Sequence, residues 1–152
     1  MAQLTQDQRD LLQGSRRAVL GTISPSGRPR LVPVAYAIVG AGSDLIVYSA
    51  LDEKPKTVTD PRSLARVRDL RARPQVSLLV DKWDEDWNRL AWVRLDGEAT
   101  LLEPDPSTAT EHATAVAALR ERYPQYAAQR LEERPIVRIR IERVSGWSAA
   151  TR

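Results

Sequence analysis

Cysteine is absent from the 152 residues, which excludes disulfides, thiolate metal sites and cysteine nucleophiles. Histidine occurs once, as His112, too few for a histidine-based metal site. No apolar run approaches the roughly 20 residues of a membrane-spanning helix. Met1–Gln13 is polar where a signal peptide would carry an apolar core. A soluble, cytoplasmic protein is expected. Lysine is also scarce, three against twenty arginines. There is no glycine-rich phosphate loop of the known kinds, and no Ser/His/Asp constellation.

What is present is ordinary in amount and uneven in place. Hydrophobic residues make up 42% and charged residues 28%, which suits a globular chain. Residues 1–152 are the length of one domain. The formal charge is only +3, yet Lys54–Arg73 holds seven basic residues against Asp60 and Asp69, a local excess of +5. An anionic partner near this segment is expected.

The order of elements reads as mainly β. Thr5 starts a short helix that ends at Gly14. Arg17–Ser24 and Arg30–Val39 are apolar and β-branched, joined by the turn Pro25–Arg28, and read as a hairpin. Pro33 cannot donate to a ladder, so it marks an edge, a bulge or a break facing a cofactor. Asp44–Ser49 completes a three-stranded meander through the turn Gly40–Ser43. Asp60 and Pro61 open a helix that runs to Arg73, with Leu64, Val67 and Leu70 inward. Gln75–Asp81 and Leu90–Leu102 are strands, with Gly97 a bulge in the second. Ser107–Arg122 is an Ala-rich helix packed by Ala113, Val116, Ala117 and Leu119, and a short helical piece follows Pro124. In Ile136–Trp147, Val137, Ile139 and Ile141 alternate with Arg138, Arg140 and Glu142, so one face is buried. The expectation is a six-stranded antiparallel sheet with peripheral helices, closed into a barrel that hides its edges.

Several motifs in this order resemble the pyridoxamine 5'-phosphate oxidase-like superfamily of flavin-binding split barrels. They are Ala18–Pro29, Val32–Val34, Tyr48–Ser49, Leu70–Ser77, Val93–Ala99 and the final Gly146–Trp147. Asp52–Lys56 and Val80–Trp87 are similar to the coenzyme F-420-dependent branch. The resemblance implies a split β-barrel of FMN-binding type, a homodimer with cofactor sites at the subunit interface, and a phosphate held by basic residues after the third strand. The segment between Lys56 and Leu64 is longer than in the simplest members. Which of Lys54, Lys56, Arg66 and Arg68 meets the phosphate stays open.

The candidate site follows from these residues. Arg and Lys suit the phosphodiester and polyglutamate tail of a deazaflavin; Arg62 and Arg66 are placed on one helix face. Val32, Pro33 and Val34 offer backbone to a flat ring, with Tyr48 and Ser49 beside them through the resemblance. Trp83, Trp87, Trp92 and Trp147 can each serve in core or dimer-interface packing or line a cofactor or substrate cavity; of the four, Trp87 and Trp92 are placed nearest the cofactor. Asp84–Asp86 reads as a solvated loop rather than a metal site. The function expected is an F-420-dependent oxidoreductase passing a hydride to a small conjugated or heteroaromatic substrate. No dedicated catalytic side chain is evident. The alternatives are an FMN oxidoreductase on the same fold, or a non-catalytic flavin or haem carrier. Nucleic-acid binding is disfavoured, because aromatic residues do not interleave the basic segment.

Overall fold

The computed structural model describes residues 3–51 and 60–151. Seven strands form one antiparallel sheet: β1 (Ala18–Ile23), β2 (Pro29–Val34), β3 (Ala37–Val39), β4 (Ile46–Ala50), β5 (Gln75–Lys82), β6 (Ala91–Leu102) and β7 (Ile136–Ser148). Their order across the sheet is β2-β1-β5-β6-β7-β4-β3. The edge strands β2 and β3 are consecutive in sequence, separated only by Ala35 and Tyr36. Three residue steps span at most about 10 Å, so the two edges must meet there. The sheet therefore curls into a barrel, split along the seam between β2 and β3.

This corrects two expectations. The run Arg30–Val39 is not one strand; it divides at Ala35–Tyr36 and serves both edges, giving seven strands instead of six. The meander is accordingly two hairpins, β1–β2 and β3–β4, on opposite edges. The break is held by side chains. Ser49 Oγ donates to the Ala35 carbonyl at 2.7 Å. The Tyr36 amide donates to the Tyr123 hydroxyl at 3.0 Å, and the Tyr36 hydroxyl donates to the Leu12 carbonyl. Pro33 does lie on an edge strand, opposite Val19, where its missing N–H costs nothing.

The helices close the ends. α1 (Gln6–Gly14) begins with a capping box, Thr5 and Gln8 bonding each other's backbone N–H. Leu12 seals the core, and Arg122 Nη atoms donate to the carbonyls of Leu12 and Gln13 at 3.0 and 2.8 Å. α2 (Ala65–Ala72) is shorter than expected. Asp60 caps a separate single turn, Pro61–Ser63, and Leu64 is extended (φ −62°, ψ 141°) before the helix starts. Arg62 and Arg66 thus do not share a helix. The buried Asp69 of α2 accepts from Thr22 Oγ1 (3.0 Å) and Arg30 Nε (2.7 Å), fixing α2 to the first hairpin.

α3 (Ala109–Arg122) packs outside the barrel on Ala37, Tyr48, Ala50 and Ile136. Its buried side is His112, Ala115, Val116 and Leu119; Ala113 and Ala117 are exposed, contrary to the sequence pattern. His112 Nε2 lies 2.7 Å from the Arg134 carbonyl. A carbonyl only accepts, so Nε2 carries the proton and the histidine is a packing residue. The expected bulge at Gly97 is present as a register shift against β7. No helix among the described residues is long and apolar enough to cross a membrane.

Candidate functional site

Directly opposed residues in an antiparallel sheet share a face. The register therefore defines transverse rows on the outside of the barrel. One row is Pro33, Val19, Leu79, Arg94 and Ser145; the next is Leu31, Gly21, Ser77, Asp96 and Arg143. A shorter row, Asp81, Trp92 and Trp147, lies beyond them. α3 packs over β3, β4 and the start of β7. The half formed by β2, β1, β5 and β6 lies outside that patch, and Leu31 on it is 71% exposed. Its polar groups pair within the face. Ser77 Oγ donates to Asp96 Oδ1 at 2.6 Å, Arg94 stands 3.6 Å from Asp96, and the Arg94 guanidinium lies 5.7 Å from the centre of the Trp92 ring.

A cavity of about 1070 Å³ opens where this face meets α1, with Gln8, Asp81, Arg89, Trp92 and Trp147 among its lining residues. Gly146 also lines it, and a Cβ there would come within 2.8 Å of the Gln8 side-chain Nε2 and 3.1 Å of the Trp92 carbonyl oxygen. Among the described residues no three His, Asp or Glu side chains are grouped to hold a metal ion.

The basic segment is divided between committed and exposed cations. Arg62 donates from Nε to Glu103 Oε2 at 3.0 Å and also pairs with Asp60. The Arg62 hydrogen bond holds the Glu103 carboxyl below its usual range, and that bond raises Arg62. Arg30 is committed to Asp69. Arg66 is half-buried and engaged, whereas Arg68, Arg71 and Arg73 are exposed. Lys54 and Lys56 lie outside the described residues.

The other sequence-selected positions are scattered. Val32 and Val34 point inward against the core, so of the three only Pro33 reaches the outer face. Tyr48 is buried beneath α3, where burial first, then the nearby Glu111, raises its hydroxyl above the ordinary tyrosine range. Ser49 is buried and holds the Ala35 break. Trp92 lines the cavity and Trp87 sits at the exposed tip of the β5–β6 connection. Pro33 and Trp92 thus share the bare face, Arg68 belongs to the neighbouring helix, and Tyr48 lies under the α3-covered side. Sequence reasoning passed over Leu31, Leu79 and Arg94. A signal existed: Leu31–Val32 and Leu78–Leu79 are apolar neighbours on strands, and neighbours cannot both face the core.

Residues 4–148 match the family model described as pyridoxamine 5'-phosphate oxidase. No curated protein sequence matches the chain. Among solved structures, an FAD-binding protein from Mesorhizobium loti is 24% identical, with 92% of this chain and 89% of that one covered and a TM-score of 0.60. A heme binding protein from Mycobacterium smegmatis is 20% identical, with a TM-score of 0.71 over 95% of this chain and 53% of that one. A structure described as an F420 reductase is 18% identical, with a TM-score of 0.62 over 93% and 98%. At these identities the likeness is one of fold.

Proposed function

We propose, from the premise that this chain belongs to the pyridoxamine 5'-phosphate oxidase family, that it is a homodimeric oxidoreductase that binds coenzyme F-420. The observation that carries the reading is the outer face of β2, β1, β5 and β6, apolar and exposed at Leu31 and Leu79, with Trp92 at one end and exposed arginines near the other. Such a surface fits a flat ring with an acidic tail, and a second copy laid over it would exclude water from the ring. The F420 reductase and the FAD-binding protein among the structural neighbours support a flavin-type group.

When bound, the deazaflavin supplies a two-electron hydride donor for a small conjugated or heteroaromatic acceptor. The chain's part is to bind and orient it. Pro33 and Trp92 offer flat apolar surface, and Arg68, with Lys54, Lys56 and Arg66, offers charge to the phosphodiester and glutamate tail.

Titrating the purified protein with F-420 and with flavin mononucleotide, followed by absorption and calorimetry, tests this. Saturable F-420 binding, weakened more than flavin binding by Lys56→Ala with Arg66→Ala, is the expected result. Binding of neither cofactor removes the proposal. One observation favours flavin mononucleotide as a second reading: Arg30 and Arg62 are already committed to Asp69 and Glu103, leaving fewer cations for a long tail. Equal losses for both cofactors in the double variant would select that reading.

A further inference from the structure

The chain's one histidine has a ring nitrogen that nothing in the fold uses. His112 is 4% exposed, and its Nε2–H donates to the Arg134 carbonyl. In the neutral ring Nδ1 then keeps only a lone pair, which accepts and cannot donate. Among the described residues no group donates to Nδ1. Yet no side-chain nitrogen or oxygen among them is both sealed from solvent and without a partner. Nδ1 must therefore reach open space. That space is a cavity of about 520 Å³, which His112 lines, between α3 and the turn Leu131–Glu133.

The other lining residues set what the cavity can hold. Ala109, Ala113 and Ala117 stand on successive turns of α3, all three exposed. Side chains four apart on a helix share a face, so the three methyls form a low apolar wall with nothing projecting from it. Arg120 and Glu132 also line the cavity, and they answer each other. Arg120 Nη2 donates to Glu132 Oε1 and to the Gln129 carbonyl, both at 2.7 Å, and Nε donates to the Tyr126 carbonyl at 3.1 Å. Neither charge is left to hold an ion.

We propose that this cavity is a second ligand site, for a neutral flat aromatic molecule that lays its ring on the alanine wall and donates one N–H or O–H to His112 Nδ1. The site shares no residue with the larger cavity beside α1 and does not depend on the deazaflavin reading. Its volume is that of a small-molecule site, and a single directed polar group in an apolar lining is how such sites fix orientation. An anionic ligand would meet a lone pair and an arginine already paired, and a cationic one would meet a glutamate already paired. A wholly apolar ligand would strip water from Nδ1 and give it no partner, which is unfavourable. A neutral donor is the class that remains.

A single histidine makes the imidazole spectrum the spectrum of one residue. Long-range proton–nitrogen correlations of the full chain at pH 8 are followed while indole is added. N-methylindole, of nearly the same shape but without the N–H, is the comparison. The expected result is a proton on Nε2 at rest, a saturable shift of Nδ1 with indole, and binding of N-methylindole weaker by roughly fivefold. A proton on Nδ1 at rest overturns the acceptor. No saturable response to indole, or equal affinity for the two, overturns the site. Ala117→Leu, with Ala113→Leu in parallel, fills the wall from an exposed helix position with a good helix former. Circular dichroism is expected to stay unchanged and the indole response to be lost; a response that persists in both variants puts the molecule elsewhere and overturns the site. Light scattering of the ligand-free chain and of both variants reads the other occupant. A fall in mass on substitution means that a second copy covers α3, and the proposal falls.

Discussion

Tyr36 occupies the two-residue passage between the barrel's edges and is fully buried. Burial pushes its hydroxyl up to about 12 against the ordinary 10.0, with Arg122 opposing the shift. The neutral form is therefore favoured by folding. Its contribution is complete below pH 10 and is lost as pH rises toward 12, a span worth about 2–3 kcal/mol. Urea midpoints measured from pH 9 to 12 are expected to fall steeply, and less steeply in Tyr36→Phe. At the opposite extreme, Arg120 holds Glu132 down to about 2. That pair stabilises above the usual carboxylate range and is lost as pH falls toward 2, with a small effect because the glutamate is exposed. Gly97 shows how a residue can be read correctly from sequence. A Cβ there would lie 2.3 Å from the Arg140 carbonyl oxygen. Gly97→Ala is expected to cost at least about 1–3 kcal/mol, seen as a lower thermal midpoint.

Elements were legible where local signals and tertiary demands agreed. Thr5 and Gln8 announce α1, and the alternation of Val137, Ile139 and Ile141 announces β7. The passage at Ala35–Tyr36 was not legible, because neither residue breaks a strand. The break is imposed by Ser49, Leu12 and Tyr123, which are distant in sequence. Asp60–Pro61 is a genuine cap and start, but for one turn only; extended Leu64 separates it from α2. The site was legible in part for the same reason. Exposure of Leu31 and commitment of Arg62 to Glu103 depend on which strands neighbour one another. Asp69 is the tie on which α2 depends. Asp69→Ala strands the buried Thr22 hydroxyl and is expected to cost about 1–3 kcal/mol, with amide exchange rising across Ala65–Ala72 before the rest of the molecule.

At the scale of the whole molecule, the split barrel has a covered side and a bare side. α3 contributes a second apolar cluster around Tyr48, Leu119 and Tyr126, which occupies the outer surface of β3 and β4. The other outer surface holds Leu31 at 71% exposure, and area of that kind favours association. Leu31→Glu is expected to convert a dimer to a monomer in sedimentation while leaving the far-ultraviolet circular dichroism unchanged. The same variant should weaken F-420 binding if the ring lies between the two copies.

The pairing of β4 with β7 joins Ile46 to Arg140 and Ala50 to Ile136. During synthesis the ribosome delivers β3 and β4 long before β7. Until β7 emerges, β4 has a partner on one side alone, and the nascent chain carries an open strand flank. The last strand made is the keystone of this barrel, so pausing of translation before Ile136 would leave an intermediate prone to pair with its neighbours on a polysome.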